Sequence, residues 1–254
     1  PEAAAVFLEH AAVVLATAER ARMAVRESAT VPRGEVALGL PTTVALVATM
    51  PILSACREQL PQVRLKVVEA YSGFLREKLL SGRLDLALLY GDAVDAGLAT
   101  RPLLDDRLGF VTRASSARLP KKISLAALTR WPLVLPGREH GLRRIVDDAC
   151  ARLGLELNVV AEIESLGTVK RAAEAGIGST ILPLGAVAEE VAAGRLRSAV
   201  IDSPGMSRRV VCATNVTRPA SAASAAVTAL VRRVVHEMVV SDAWPAQWVG
   251  NLGD

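Results

Sequence analysis

Val36-Ala37-Leu38-Gly39-Leu40-Pro41-Thr42-Thr43 is an apolar run that ends in a proline and two hydroxyl residues. The run predicts a buried strand, and the proline with the two threonines predicts the start of a helix. We expect the hydroxyls to cap this helix, while its first backbone N–H groups stay unpaired and point beyond the strand. Such a junction can bind a small anion.

Strands and helices alternate along the chain from this junction onward. Apolar runs such as 84–90 are typical of parallel strands covered on both faces, and Gly82, Gly154 and Gly176 stand where helix C-caps are expected. The alternation predicts an open α/β sheet that binds ligands at the carboxyl ends of its strands. The expected strands are 35–40, 63–70, 84–90, two short ones within 98–112, 133–136, 157–163, 177–182, 196–201 and 208–215; the expected helices are 44–60, 72–81, 124–129, 141–153, 166–175 and 221–240.

The predicted elements group into two lobes, since the chain leaves the first α/β unit near Arg113 and then begins a second one. The final helix is rich in alanine and valine and is expected to return to the first unit. The expected segments are a helix at 1–29, a hinge at 30–33, lobe I at 34–112 and 216–240, lobe II at 113–215, and a tail at 241–254 that the sequence does not place.

The first 29 residues lack glycine, and their only proline is at position 1, where helices tolerate it. Apolar residues recur there at spacings of three and four, which is the seam of a helix that pairs with another helix. We therefore expect an oligomerisation helix, in a homodimer or homotetramer, centred on Phe7, Ala11, Val14 and Ala18. The alternative is an amphipathic helix that packs on its own domain.

The composition excludes several classes of protein. Hydrophobic residues make up 51% of the 254 residues, which excludes a disordered chain. The sequence has a net charge of +4, no long basic run and only 3% aromatic residues, so it lacks the charge pattern and the stacking side chains that bind nucleic acid.

Three widely spaced cysteines in apolar stretches are typical of buried thiols in a reducing compartment. The uncharged run 36–56 could span a bilayer, but its prolines and hydroxyls favour a buried strand and helix, so we expect a cytoplasmic protein without membrane contact.

Catalytic and cofactor motifs are missing from the sequence, including the nucleophile elbow, the phosphate loop and the zinc-binding His-Glu-x-x-His. Gly176-Ile177-Gly178 begins a dinucleotide fingerprint, but it precedes a predicted strand, which favours a simple helix stop. Among the three histidines, His140 alone lies in a loop between a strand end and a helix start. We expect no enzyme, metal or cofactor; an α/β enzyme that uses His140 with a carboxylate as acid and base stays an alternative.

Polar residues cluster at the ends of predicted strands, where two lobes of an α/β fold face each other. Hydroxyls, helix N-termini and a guanidinium together suit a small carboxylate or oxyanion. The alternative is that each hydroxyl merely caps its own helix. The candidate effector-binding residues are Thr42, Thr43, Tyr90, Arg138, His140, Arg143 and Ser165.

Several segments resemble the effector domain of LysR-type transcriptional regulators, and the resemblance covers about residues 2 to 240. The first helix resembles the linker helix that follows the winged helix-turn-helix of this family. Tyr71-Ser72-Gly73, Glu77-Lys78-Leu79 and 162–165 are most similar to the nitrogen-assimilation-control branch. The segments that carry the family resemblance are 34–39, Leu60-Pro61-Gln62-Val63, 79–87, Arg101-Pro102-Leu103-Leu104, and Glu174 to Gly178 through Leu182-Pro183.

This resemblance implies a two-lobed α/β fold similar to type 2 periplasmic binding proteins, behind a long linker helix. It implies an oligomeric bacterial regulator that binds promoter DNA and responds to a small effector in its cleft. Thr42 and Thr43 match the hydroxyl pair that commonly contacts effectors, and Tyr90, the 138–143 loop and Ser165 match other cleft positions. We expect DNA contact only through the family's DNA-binding domain, which this sequence lacks. A free-standing solute-binding protein for a small anion stays an alternative.

Overall fold

The computed structural model describes residue 7 and residues 10–18, 31–91, 96–116 and 118–251. Most of the helix expected at 1–29 lies outside these residues; within them, 10–18 are helical. The remaining elements follow the predicted alternation, with most ends within two residues of expectation. The strands are β1 Gly34–Leu40, β2 Val63–Glu69, β3 Leu86–Tyr90, β4 Leu98–Arg113, β5 Lys122–Ile123, β6 Leu133–Leu135, β7 Val159–Glu162, β8 Thr180–Pro183, β9 Leu196–Ile201, β10 Ser207–Asn215 and β11 Ala246–Trp248.

Six α-helices follow residue 31 within the described chain, together with two short 3-10 helices at Leu125–Arg130 and Leu184–Val187. Gly82, Gly154 and Gly176 adopt positive φ angles of 69°, 62° and 75° at the ends of their helices, which confirms them as helix stops. None of the described helices is long and apolar enough to cross a membrane. The α-helices are α1 Thr42–Gln59, α2 Ser72–Leu80, α3 Gly141–Arg152, α4 Leu166–Glu174, α5 Ala188–Ala192 and α6 Ala222–Val240.

The sheet begins with the strand order β2-β1-β3-β10-β4, in which β1 pairs in parallel with β2 and β3. Strand β10 runs antiparallel to both β3 and the first part of β4, and β11 pairs with β4 on its other side. Helices α1 and α6 cover one face of these strands and α2 covers the other. We call these strands and helices lobe I.

Lobe II is built on the last part of β4, residues 108–113, which pairs with β8 and β9. Strand β5 extends β9 in parallel, and β6 and β7 form a separate parallel pair. Helices α3, α4 and α5 belong to this lobe, whose apolar residues form two further core clusters. Strand β4 therefore connects the two lobes as one continuous element.

Two of the predicted segments differ from the sequence-based expectation. Segment 98–112 is part of one strand of 16 residues and not two short strands. Its polar residues do not interrupt it because they have partners across the sheet: Arg209 binds Asp105, and Trp244 donates to Asp106. The sequence also predicts 208–215 as part of lobe II, whereas β10 pairs with β3 and the first part of β4 and so belongs to lobe I. Pairing partners this distant in sequence leave no local signal.

Candidate functional site

A cavity of about 390 Å³ lies between the lobes, at the carboxyl ends of β1 and β3. Lobe I supplies the start of α1, the start of α2, the end of β3 and one residue of β10; lobe II supplies the starts of α3 and α4. Four helices therefore begin at one cavity. It brings together five of the seven predicted effector-binding residues, namely Thr42, Thr43, Tyr90, His140 and Ser165.

The starts of α1 and α2 carry no capping side chain among the described residues. The N-cap of α1 is Pro41 and that of α2 is Tyr71, and neither makes a side-chain cap bond. The expectation that the threonine hydroxyls cap α1 is wrong, because Thr43 uses its hydroxyl on Tyr90 instead, at 2.8 Å. The first N–H groups of both helices thus keep their donor capacity, and the positive ends of both helix dipoles lie at the cavity.

The starts of α3 and α4 are capped. The Nδ1 atom of His140 accepts a hydrogen bond from the Leu142 N–H at 3.1 Å. The hydroxyl of Ser165 accepts from the Thr168 N–H at 3.4 Å. His140 and Ser165 therefore cap their own helices, which was the alternative to effector binding, although both side chains also line the cavity.

The imidazole of His140 is neutral at neutral pH. Burial, followed by the positive charge of Arg208, lowers its pKa from the ordinary value of 6.5. Since Nδ1 accepts the capping bond, the neutral ring carries its proton on Nε2. His140 can therefore donate one hydrogen bond from Nε2 and adds no charge to the cavity.

A chain of hydrogen bonds runs from the cavity into the core of lobe I. The Tyr90 hydroxyl contacts the Thr43 hydroxyl at 2.8 Å and donates to Oδ2 of Asp106 at 2.8 Å. The indole N–H of Trp244 donates to Oδ1 of the same carboxylate at 3.0 Å. Asp106 and Trp244 are each only 1% exposed. Burial and the Asp106 charge raise the pKa of Tyr90 well above 10, so its phenol keeps its proton.

The cation of the cavity is Arg208, which stands at the start of β10. Its guanidinium carbon lies 3.4 Å from the centre of the Tyr90 ring, as in a cation–π contact. Burial lowers the pKa of Arg208, while the negative charge of Asp106 and the neighbouring Tyr90 oppose this shift. An arginine side chain is not deprotonated at neutral pH, so Arg208 stays charged. No hydrogen bond from its guanidinium is found within the described chain, which leaves its donors available to a ligand.

The two arginines predicted from the sequence do not line this cavity. The side chain of Arg143 is only 4% exposed and is held by Asp147 at 2.8 Å, Glu162 at 2.9 Å and the Pro136 carbonyl at 3.1 Å. Arg138 lies with it along a separate, open depression on α3 and β7. Arg143 therefore connects α3 to β7 through its ion pair with Glu162. The positive charge at the cavity comes from Arg208.

The sequence analysis did not predict Glu164 and Arg208, which line the cavity, or Asp106 and Trp244, which lie behind it. Asp106 and Arg208 interrupt or flank apolar strands, which is a usable signal because a charge in a buried strand needs a partner. Trp244 gives no such signal, since it follows the last helix in a segment without clear periodicity.

The described residues contain no group of histidine, cysteine, aspartate or glutamate side chains that could hold a metal ion. Cys56, Cys150 and Cys212 are all buried free thiols, as the sequence predicts. Burial raises the pKa of the Cys212 thiol to about 11, which makes it unreactive at neutral pH.

The sequence profile described as "LysR substrate binding domain" matches residues 29–236. The chain belongs to this LysR family. Among its relatives, the nitrogen assimilation regulatory protein nac of Klebsiella aerogenes is 35% identical over 81% of this chain and 67% of its own length. The HTH-type transcriptional regulator BbuR of Bordetella bronchiseptica is 33% identical over 89% of this chain and 69% of its own length.

Solved structures show the same LysR fold. The OxyR C206 mutant of Corynebacterium glutamicum superimposes with a TM-score of 0.74 at 23% identity, over 94% of this chain and 76% of that one. The effector-binding domain of QuiR in complex with shikimate gives a TM-score of 0.70 at 16% identity, over 81% and 98%. These similarities confirm the predicted two-lobed fold similar to type 2 periplasmic binding proteins.

Proposed function

We propose that this chain is the effector-sensing and oligomerisation part of a bacterial LysR-type transcriptional regulator, and that a small anion binds between its lobes. The observation that carries the proposal is the cavity, where two uncapped helix N-termini meet Arg208, whose guanidinium has no hydrogen bond within the described chain. Unpaired N–H groups, helix dipoles and a partly buried cation all favour a negative charge at the same place.

The anion is a small carboxylate or oxyanion. Backbone N–H groups at the starts of α1 and α2 hold its oxygens, and the guanidinium of Arg208 neutralises its charge. Thr42, Thr43, Tyr90, His140 and Ser165 are proposed as further contacts, since all five line the cavity. The QuiR domain, which shares the fold, was solved with shikimate, itself a carboxylate.

Signal transfer depends on the lobes and on the first helix. An effector that contacts both lobes shifts the equilibrium between two arrangements of the lobes, by as much as its affinities for the two arrangements differ.

The seam residues Phe7 and Val14 are 72% and 66% exposed in the single chain, as expected for a helix whose partner is a second chain. Ala18 is exposed and Ala11 is partly exposed in the same segment. We propose that these residues pair the helix in a homodimer or homotetramer.

Both relatives are named as regulators, and we propose that this chain likewise serves regulation and catalyses no reaction. We propose that the full regulator acts in the cytoplasm and contacts promoter DNA through a winged helix-turn-helix domain that precedes this chain. No cofactor takes part.

The test is a thermal-shift screen of the purified chain against small carboxylates, amino acids and inorganic oxyanions. A ligand at 100 times its dissociation constant stabilises the folded state by about 2.7 kcal/mol, which is a measurable shift in melting temperature. Arg208→Met should weaken binding of any hit about 10- to 100-fold, the value of a hydrogen bond to a charged group.

The matched control is Arg195→Met, since Arg195 is a partly exposed arginine that pairs with Glu174 in lobe II and does not line the cavity. It should leave the affinity unchanged. Equal affinity in wild type and Arg208→Met would refute the assignment of the anion site. A screen without any hit would refute the proposed effector cavity.

A further inference from the structure

We infer that the hydroxyl of Thr43 faces the cavity as a hydrogen-bond acceptor, so that the site selects an anion that also carries a hydrogen-bond donor, such as a hydroxy acid or an amino acid. The inference rests on the proposed anion site and specifies the class of its ligand. It assigns Asp106 and Trp244 as positioning residues that act through Tyr90.

The direction of the hydrogen bonds is fixed from the core outward. An indole N–H can only donate, so Oδ1 of Asp106 must accept from Trp244 at 3.0 Å. The other oxygen, Oδ2, lies 2.8 Å from the Tyr90 hydroxyl. Although burial raises the pKa of Asp106, both hydrogen bonds and the positive charge of Arg208 favour its ionised form. An ionised carboxylate has no proton to give, so the Tyr90 hydroxyl donates to it.

The same reasoning continues to the cavity. A phenol has one proton, and that of Tyr90 is used on Asp106. At 2.8 Å the contact between Tyr90 and Thr43 still needs a proton, which must come from Thr43. A threonine hydroxyl also has one proton, so the Thr43 oxygen offers only lone pairs to a ligand. A bare carboxylate oxygen placed against it would meet another acceptor.

A second acceptor stands on the opposite side of the cavity. The carboxylate of Glu164 lines it from lobe II, where its Oε1 atom accepts a hydrogen bond from the Gly137 N–H at 2.7 Å. The anion-binding groups, by contrast, are the helix starts of lobe I and Arg208 of β10. The cavity therefore combines positively charged groups with hydrogen-bond acceptors. A molecule that carries a carboxylate next to a hydroxyl or ammonium group can bind both.

The experiment compares matched acids in the same protein. Succinate, malate and aspartate differ only in carrying no donor, a hydroxyl or an ammonium group; benzoate and 3-hydroxybenzoate form an aromatic pair. Thermal-shift titrations give the association constant of each acid. The measured quantity is the association constant of the donor-bearing acid divided by that of the plain acid. In wild type we expect a ratio of about ten in at least one pair, the effect of one well-formed hydrogen bond in place of two opposed acceptors.

Asp106→Asn should cancel or reverse this preference. The asparagine carbonyl can still accept from Trp244, but its NH₂ group donates to Tyr90, so Tyr90 then donates to Thr43. The Thr43 proton is released toward the cavity and can bind a plain carboxylate. Asp105→Asn is the matched control, because it makes the same chemical change one residue away, where Asp105 pairs with Arg209 and does not line the cavity. It should keep the wild-type ratio.

Tyr90→Phe gives a second, independent test if Asp106→Asn does not fold. It removes the phenol and leaves the Thr43 proton free, so the ratio should again fall to about one. A ratio near one in wild type, or a ratio unchanged in both variants, overturns the inference while anion binding itself persists. Absence of binding by every acid in wild type refutes the proposed anion site and this inference with it.

Discussion

Trp244 offers the sharpest test of how the C-terminal segment contributes to the fold. Its indole N–H is the donor to Oδ1 of Asp106, a carboxylate that is 1% exposed. Trp244→Phe keeps an aromatic ring but removes that donor, which leaves one oxygen of a buried carboxylate without a partner. The indole ring also lies close to Gly185 of the 3-10 helix Leu184–Val187, because a Cβ atom built onto that glycine would be 3.3 Å from the ring.

The expected loss follows from these contacts. A hydrogen bond to a charged group is worth about 1.5–3 kcal/mol, and the smaller ring adds a packing defect. We therefore expect Trp244→Phe to lower the free energy of unfolding by about 2–4 kcal/mol. In a chain of this size 1 kcal/mol corresponds to about 2–4 °C, so the melting temperature should fall by at least about 4 °C.

Trp248→Phe is the matched control for this variant. Trp248 is only partly buried, and its ring packs edge-on against His236 at 4.8 Å, a contact that phenylalanine can keep. We expect it to cost less than about 1 kcal/mol. Both variants are compared by denaturant unfolding and by thermal melting. Equal destabilisation by the two substitutions would refute the argument that the bond to Asp106, and not the loss of aromatic surface, stabilises the fold.

Three further predictions concern other parts of the molecule. Burial lowers the pKa of His140, so the folded state resists protonation of its imidazole. The free energy of unfolding should therefore fall as the pH drops from about 7 through that lowered pKa. His140→Asn retains a capping side chain and should show a smaller drop in melting temperature across this range. Val14→Glu should impair oligomerisation, and a light-scattering mass equal to that of wild type would contradict the proposed seam. Arg143→Met should lower stability by about 1–3 kcal/mol in denaturant melts but leave anion affinity unchanged by titration, because its carboxylate partners Asp147 and Glu162 are partly exposed and lie outside the cavity.

The sequence alone determined the local structure of this protein. Apolar periodicity and helix-stopping glycines predicted nearly all strands and helices, because these signals act between residues close together in the chain. The junction at 36–43 also located the end of the sheet where the cavity lies, because the carboxyl ends of parallel strands share one edge. Short segments such as α5 and β11 were missed, since they are too brief to show a period.

Only the tertiary structure decided which charged groups form the site. Strand register places Arg208 opposite Asp106 on neighbouring strands, and β11 brings the C-terminal segment to the other side of Asp106. The same register assigns the cation of the cavity to Arg208 and leaves Arg143 to the ion pairs of α3. Pairing between distant strands depends on the packing of whole faces and not on neighbouring residues, so no local pattern could have predicted these partners.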